Sequence, residues 1–190
     1  MNTPAHAIAN LLILGRRERP ETALPIVLGA ILPDVPILLF YAWAKLARGL
    51  PESTIWTTAY YEPAWQNVID GFHSLPLILL ALLAAYLLKA PRATALFASM
   101  ALHVPEDLLL HAEDAHRHLY PFSDWRFQSP LSYWNPAHHG RLLAPLEALF
   151  VLCAAVVLAR RYRTPWVRAL LAGVVLLYAG YLGYVLWVWV

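Results

Sequence analysis

The sequence contains little charge and almost no cysteine. Asp, Glu, Lys and Arg make up 14% of its 190 residues, against roughly 25% in a typical soluble domain. Hydrophobic residues make up 60% of the chain, and the mean hydropathy is +0.52. This composition predicts an integral membrane protein whose main surroundings are the lipid bilayer.

Further absences exclude classes of function. The net charge is only +2 and no basic stripe with interleaved aromatic residues is present, so we expect no nucleic-acid partner. The single cysteine, Cys153, excludes an internal disulfide framework and a cysteine-based zinc site. The sequence also lacks a P-loop, a dinucleotide fingerprint and a G-x-S-x-G nucleophile elbow.

The apolar runs predict an all-α fold, a polytopic membrane helix bundle that forms one domain over residues 1–190. Residues 4–14 predict a short N-terminal half-helix, because their length reaches only about halfway across a bilayer of roughly 30 Å. An interfacial connector rich in Trp and Tyr is predicted at 49–71, and a surface loop at 119–141. About five spans are expected, at 22–47, 74–88, 93 onwards, 142–159 and 169–190.

Basic residues are concentrated in a few of the predicted turns. The turns at 15–21, 89–92 and 160–168 carry nine of the fourteen Lys and Arg residues. With five spans these turns fall on one side of the membrane, and the positive-inside rule makes that side cytoplasmic. The opposite end of the bundle is therefore expected to face the periplasm or the exterior.

Ionisable residues are concentrated in LHVPEDLLLHAEDAHRH, residues 102–118, which holds four of the eight histidines and four of the twelve acids. On a continuous helix, five of these side chains would lie within an arc of about 80° and form a stripe along one face, namely His103, Asp107, His111, Asp114 and His118. Ionisable groups that emerge from an apolar segment are expensive and usually functional. The stripe is therefore the first candidate for a site.

Residues that are distant in the sequence are predicted to lie at similar depth. Helical rise places Asp34 about 18 Å, His103 about 16 Å and Asp107 about 22 Å from the inner face. His73 begins its span from the outer side, and His6 begins the half-helix. We therefore expect these side chains to meet in the outer half of the bundle.

Histidine and aspartate without cysteine form a ligand set for a divalent metal, zinc first, with Mn or Fe as alternatives. In a helix, H-x-x-x-D places His103 and Asp107 on one face, where both can bind one ion. The stripe would extend over about 22 Å, so either two ions bind or its later residues support ligands, carry protons or contact substrate. His111 is predicted as a further ligand, and Glu106 and Asp114 as alternative general bases.

Other interpretations stay open for some of these residues. Asp34 lies between Pro33 and Pro36, so it could instead cap a helix that restarts there. His6 could be an interfacial histidine at the end of its helix. Several polar residues near the interface are expected to be solvated and without a role in the site, namely His116, Arg117, His118, His138 and His139.

Several short motifs, in this order, resemble a family of bacterial inner-membrane, metal-dependent hydrolases described as LexA-binding and inner-membrane-associated. The motifs are PAHAIAN, LGAILPDVP, FHSLPLILL and LHVPEDLLL, followed by YPFS, and they cover roughly residues 4–124. The resemblance implies a metal-ligand role for His6, Asp34, His73, His103 and Asp107. The chain departs from the family pattern at Pro36, where a second Asp is common, and at Phe72, where Thr or Arg is common.

Together these features predict a membrane-embedded, metal-dependent hydrolase. Its substrate would be a lipid-linked or membrane-adjacent ester or phosphoester, attacked by water that the metal activates. The resemblance implies a multi-pass protein of the bacterial inner membrane, with the site in the periplasmic half. The alternatives are an ion, proton or metal transporter, and a non-catalytic membrane subunit or scaffold with a structural His/Asp site.

Overall fold

The computed structural model of the protein describes residues 1–189, and within that range it contains helices and no β-strand. The fold class is therefore all-α, as predicted. Val190, the predicted end of the last span, lies outside the described residues. The α-helices are α1 (Thr3–Leu14), α2 (Ala23–Ile31), α3 (Val35–Ala42), α4 (Glu52–Thr57), α5 (Pro63–Phe72), α6 (Leu75–Leu87), α7 (Pro91–Leu108), α8 (Gly140–Arg161) and α9 (Pro165–Trp189).

Four helical segments of the described chain are long and apolar enough to cross a membrane. They are Pro20–Ala47, Pro63–Leu87, Gly140–Arg161 and Pro165–Gly183. These segments indicate a membrane protein by length and composition. The predicted count of five spans is not confirmed, because α7 is not among the four.

Prolines break the first of these segments at the point where the site is built. A 3-10 turn at Leu32–Asp34 separates α2 from α3. Pro33 and Pro36 lack the N–H groups that a continuous α-helical ladder needs, so the chain tightens here and continues. The turn places Asp34 on irregular backbone in the interior of the bundle.

The second segment begins earlier than predicted, because α5 occupies residues that were assigned to the interfacial connector. The helix is interrupted at His73, and Ser74 restarts it by accepting a hydrogen bond from the backbone N–H of Leu77. The rest of the connector contains α4 and a 3-10 turn at Ala59–Tyr61. The interruption holds the His73 side chain inside the bundle, where it is fully buried.

Helix α7 packs between α2 and α6 and also contacts α1. Gly29 allows the close approach of α2, because a Cβ atom there would collide with the carbonyl oxygen of Leu96. Ser99 donates its hydroxyl to the carbonyl of Ile26, and Asn10 donates its side-chain amide to Ser99. Hydrogen bonds between helices therefore fix α7, the most polar of the long helices, against its neighbours.

The three basic turns lie at the same end of the bundle. Arg16 and Lys89 line one cavity of about 670 Å³. Arg161 donates to the backbone carbonyls of Leu12 and Gly15. The histidines and aspartates of the site lie toward the opposite ends of α1, α6 and α7.

Candidate metal centre

Four side chains form a buried cluster that could hold a metal ion. Asp34, His73, His103 and Asp107 each offer a ligand atom, and these atoms lie within 4.8 Å of one another. The 3-10 turn provides the first residue, the break between α5 and α6 the second, and α7 the last two. The sequence predicted that these four would meet, and the structure brings them together.

The spacing of the ligand atoms fits a single ion. His73 Nε2 and His103 Nε2 each lie 3.7 Å from Asp34 Oδ1. The same nitrogens lie 3.5 Å and 2.8 Å from Asp107 Oδ2. Two ligands of one tetrahedral zinc ion are about 3.3 Å apart when each metal–ligand bond is about 2.0–2.1 Å. The four observed separations lie on both sides of that value.

The tautomers of both histidines also fit metal binding. The Nδ1 atoms lie 2.9 Å from the carbonyl oxygen of Ile69 for His73, and 2.8 Å from that of Ala30 for His103. A carbonyl only accepts, so Nδ1 carries the proton and donates it, and in the neutral ring Nε2 keeps the lone pair. Within the described chain these two Nε2 atoms are buried without a hydrogen-bond partner. A bound cation would satisfy both.

Asp34 is oriented by a second side chain. Its Oδ2 accepts a hydrogen bond from the hydroxyl of Thr3 at 2.6 Å, which leaves Oδ1 for His73 and His103. The Asp34 side chain makes no capping hydrogen bond to α3. The structure therefore supports the site interpretation of Asp34 over the capping one.

His6, a predicted ligand, lies on the other side of the shared carboxylate. Its ring stacks on His103 with centroids 3.7 Å apart. Its Nε2 lies 2.9 Å from Asp107 Oδ1, the oxygen that faces away from the four-residue cluster, and its Nδ1 lies 2.6 Å from Glu106 Oε2. The nitrogen of Met1 also lies 3.0 Å from Asp107 Oδ1. His6 is therefore buried in the site, and not a solvated interfacial residue.

The prediction of one continuous helical stripe is wrong beyond Asp107. Helix α7 ends at Leu108, so His111, Asp114 and His118 are not on its face. Just beyond this end, Ser129 donates its hydroxyl to the carbonyl of Leu109 and its N–H to the carbonyl of His111. The chain nevertheless turns back, and His111 Nε2 lies 3.1 Å from Asp107 Oδ1.

A second buried group, formed by Asp107, His111 and His116, also has ligand atoms within 4.8 Å of one another. The expectation that His116 and His118 are solvated is wrong, because only 1% and 4% of these residues are exposed. Burial lowers the pKa of His116, and it lowers the pKa of His118 to about 4. Both rings are therefore neutral at neutral pH and keep a lone pair that can bind a metal.

Arg117 explains why this segment is buried. Its N–H and its guanidinium bind the fully buried carboxylate of Asp70, so Arg117 ties residues 116–118 to α5. His138 is half-buried and His139 is exposed, and neither belongs to the two groups. Asp70 and Thr3 were not predicted from the sequence. For Asp70, an isolated acid in the apolar stretch before His73 was the available signal.

The structure separates the two candidate general bases. Glu106 contacts His6 Nδ1, which favours a role in orienting that ring. Asp114 accepts hydrogen bonds on Oδ2 from His111 Nδ1 at 2.9 Å and from Trp134 Nε1 at 3.0 Å. Its Oδ1 has no hydrogen-bond partner in the described part of the chain. Of the two, only Asp114 lines the aromatic cavity beside the second group.

A cavity of about 610 Å³ adjoins the second group. Its polar side includes His111, Asp114 and His116, and its other walls are mainly aromatic. Those walls include Trp56, Tyr60, Tyr61, Tyr133 and Trp134. Apolar and aromatic walls with a few convergent polar groups are typical of a small-molecule site.

The fold and the site define a helical membrane protein with a buried His/Asp cluster able to hold a metal ion. No protein-family model, curated protein or solved structure matches the chain. The resemblance to inner-membrane hydrolases therefore stays a prediction from the sequence motifs.

Proposed function

We propose that this protein is a membrane-embedded, metal-dependent hydrolase of a lipid-linked or membrane-adjacent ester or phosphoester. The observation that carries the proposal is the pair of buried, unbonded Nε2 atoms, on His73 and His103, that face two aspartates. These nitrogens lie 2.8–3.7 Å from carboxylate oxygens, and an imidazole lone pair that faces a carboxylate at such a distance is stabilised by a cation bound between them. A divalent cation, with zinc first and Mn or Fe as alternatives, satisfies both.

Asp34, His73, His103 and Asp107 would hold the ion. When bound, the ion acts as a Lewis acid, which polarises a substrate oxygen and lowers the pKa of bound water. The chain orients these ligands with hydrogen bonds, from Thr3 to Asp34 and from the two imidazoles to backbone carbonyls. Partners of this kind fix ring orientation and raise ligand basicity.

Asp114 is our choice for the general base. Its Oδ2 is fixed by His111 and Trp134, its Oδ1 is buried without a hydrogen-bond partner among the described residues, and the residue lines the aromatic cavity. A carboxylate within reach of both water and the substrate entry suits this role. Glu106 is the less favoured alternative because its Oε2 supports His6 and it is not among the residues that line the cavity.

The proposed location is the bacterial inner membrane, with the site in the periplasmic half. The support is the gathering of the three basic turns at one end of the bundle, away from the His/Asp cluster. Cytoplasmic loops carry an excess of Lys and Arg, so that end would face the cytoplasm. Substrate would then enter from the outer leaflet side through the aromatic cavity.

Elemental analysis of the detergent-purified protein by mass spectrometry tests the proposal. We expect stoichiometric Zn, Mn or Fe in the wild type, and its loss together with esterase or phosphoesterase activity in His103→Asn. His139→Asn is the matched control, because His139 is exposed and lies outside both groups. Asparagine also tolerates the left-handed backbone at this position, where φ is 66°.

The outcomes separate the alternatives. A wild-type protein that holds no metal and turns over no substrate would contradict the proposal. Metal or proton flux in proteoliposomes without hydrolysis would favour the transporter. A metal that resists chelation, without flux or turnover, would favour a structural site in a membrane subunit. Circular dichroism on His103→Asn checks that a loss of metal is not a loss of fold.

A further inference from the structure

We propose that the protein holds a second divalent cation, bound by Asp107 Oδ1, His111 and His116, so that Asp107 bridges two ions. This inference rests on the proposed function, which requires only the first ion at Asp34, His73, His103 and Asp107 Oδ2.

The two oxygens of Asp107 face separate sets of nitrogens. Oδ2 lies near Nε2 of His103 and His73, at 2.8 Å and 3.5 Å. Oδ1 lies 2.9 Å from His6 Nε2 and 3.1 Å from His111 Nε2. The Met1 nitrogen lies 3.0 Å from the same oxygen and 3.4 Å from His111 Nε2, so a second ion would replace this ammonium group as the cation beside Oδ1. Asp107 is 1% exposed, so water cannot compensate either oxygen. A carboxylate placed in this way can provide one oxygen to each of two ions.

Each imidazole on the Oδ1 side has a carboxylate behind it. Glu106 Oε2 lies 2.6 Å from His6 Nδ1, and Asp114 Oδ2 lies 2.9 Å from His111 Nδ1. In this arrangement Nδ1–H donates to the carboxylate and Nε2 is directed at Asp107. Carboxylate–histidine pairs are the usual support of metal-binding imidazoles. Two such pairs directed at Asp107 Oδ1 are the arrangement expected around a bound cation.

His116 is the third proposed ligand of the second ion. Its ligand atom lies within 4.8 Å of those of Asp107 and His111, and only 1% of the residue is exposed. Neither of its ring nitrogens has a hydrogen-bond partner within the described residues, although Nδ1 lies 3.7 Å from Asp70 Oδ1. Its ring stacks on His73 with centroids 4.0 Å apart, so the second group is in direct contact with the first.

A pair of bridged ions narrows the substrate class. Two-metal sites are typical of phosphoester chemistry, because the ions can stabilise both the attacking and the leaving oxygen. His111 and His116 also line the aromatic cavity, so the second ion would lie between the first ion and the entering substrate. We therefore infer an amphiphilic phosphoester, whose phosphate lies at the ions and whose apolar part contacts the aromatic wall.

Metal counting tests this inference separately from the proposed function. Purified protein is saturated with Mn²⁺, passed over a desalting column and analysed by mass spectrometry and electron paramagnetic resonance. We expect two ions per wild-type chain and the spectrum of an exchange-coupled pair. His116→Asn and His111→Asn should each keep one ion and show only an uncoupled six-line spectrum, while His139→Asn should keep both.

A weaker variant guards against misfolding of these substitutions. Asp114→Asn keeps the shape of the residue that supports His111, and we expect about a tenfold to hundredfold loss of affinity for the second ion only. One uncoupled ion in the wild type, unchanged in His116→Asn, would overturn the inference and leave the proposed function standing. No bound ion at all would overturn both. Two uncoupled ions would overturn the bridging role of Asp107.

Discussion

Thr3→Val tests whether the hydrogen bond to Asp34 prepares the first ion site. Valine has nearly the shape of threonine but cannot donate, so Asp34 Oδ2 would lose the partner that lies 2.6 Å away. The carboxylate could then rotate and direct Oδ1 away from His73 and His103. Removing Thr3 therefore changes the orientation of a ligand without removing the ligand.

The expected loss of metal affinity in Thr3→Val depends on how exposed Thr3 is. A hydrogen bond to a charged group contributes about 1.5–3 kcal/mol when it is well buried, and loss of a partner behind a ligand lowers metal affinity about tenfold to hundredfold. Because Thr3 is only half-buried, water can replace part of the interaction. We therefore expect the lower limit, about a tenfold weaker affinity, or about 1.4 kcal/mol.

Chelator competition with Zn²⁺ measures this affinity in detergent. Thr3→Ser is the matched control, because it keeps the hydroxyl and should bind Zn²⁺ like the wild type. The thermal unfolding temperature of the metal-free Val variant shows whether the fold itself has changed. Zinc affinity within about twofold of the wild type, in a folded Thr3→Val protein, would refute the role that we assign to this hydrogen bond.

Further predictions concern packing, the buried ion pair and the metal. Gly29→Ala should lower the free energy of unfolding by about 1–3 kcal/mol, because the added Cβ atom would collide with the carbonyl oxygen of Leu96. At Gly173 an added Cβ atom would meet nothing within 4 Å in the described chain, apart from chain neighbours and nearby backbone of its own helix. Gly173→Ala should therefore change the free energy of unfolding by no more than about 1 kcal/mol. Equal shifts of the unfolding temperature in the two glycine variants would contradict this prediction. Asp70→Asn should lower the free energy of unfolding by about 1.5–3 kcal/mol in a denaturant titration, because it removes the buried carboxylate that accepts from Arg117 and leaves only the exposed Asp124 as an anion for that guanidinium. Chelation should lower the unfolding temperature by about 8–16 °C if the metal was present at about a thousand times Kd, and an unchanged temperature would argue against a resident ion.

The four residues of the first group could be predicted from the sequence because helical rise is a local property. Residues at a known distance from a basic turn lie at a known depth, whatever their neighbours are. His103 and Asp107 also share a helical face through their spacing of four. Asp34 needed one further assumption, that a break at two prolines would occur in the interior of the protein, and the 3-10 turn satisfies it.

In the second group, Asp107 and His111 were predicted as ligands, but His116 could not be, because contacts distant in the sequence decide its position. A helix was expected to continue past Leu108, but the chain turns there, and Ser129 donates to the carbonyls of Leu109 and His111 just beyond this end. Neither propensity nor periodicity encodes that contact. Likewise, His116 is buried because Asp70 holds the neighbouring Arg117, and this pairing joins two segments that periodicity treats separately.

The same difference between local and tertiary information explains why α7, which was predicted as a fifth span, is not among the four membrane-length segments. Helix α7 carries His103, Glu106 and Asp107 and is less apolar than the four membrane-length segments, yet it lies at the centre of the bundle. A helix surrounded by lipid must be apolar all round, whereas one packed between other helices can carry polar groups if each has a partner.

The hydrogen-bond partners of α7 come from two neighbouring helices, α1 and α2. Ser99 binds α2, Asn10 of α1 binds Ser99, and His103 donates to the carbonyl of Ala30. Because each of these bonds needs α1 or α2 in place, α7 is stable in the membrane interior only as part of the assembled bundle. The site residues of α7 therefore become ordered together with the packing of α2 at Gly29, and a defect in that packing should weaken metal binding as well as the fold.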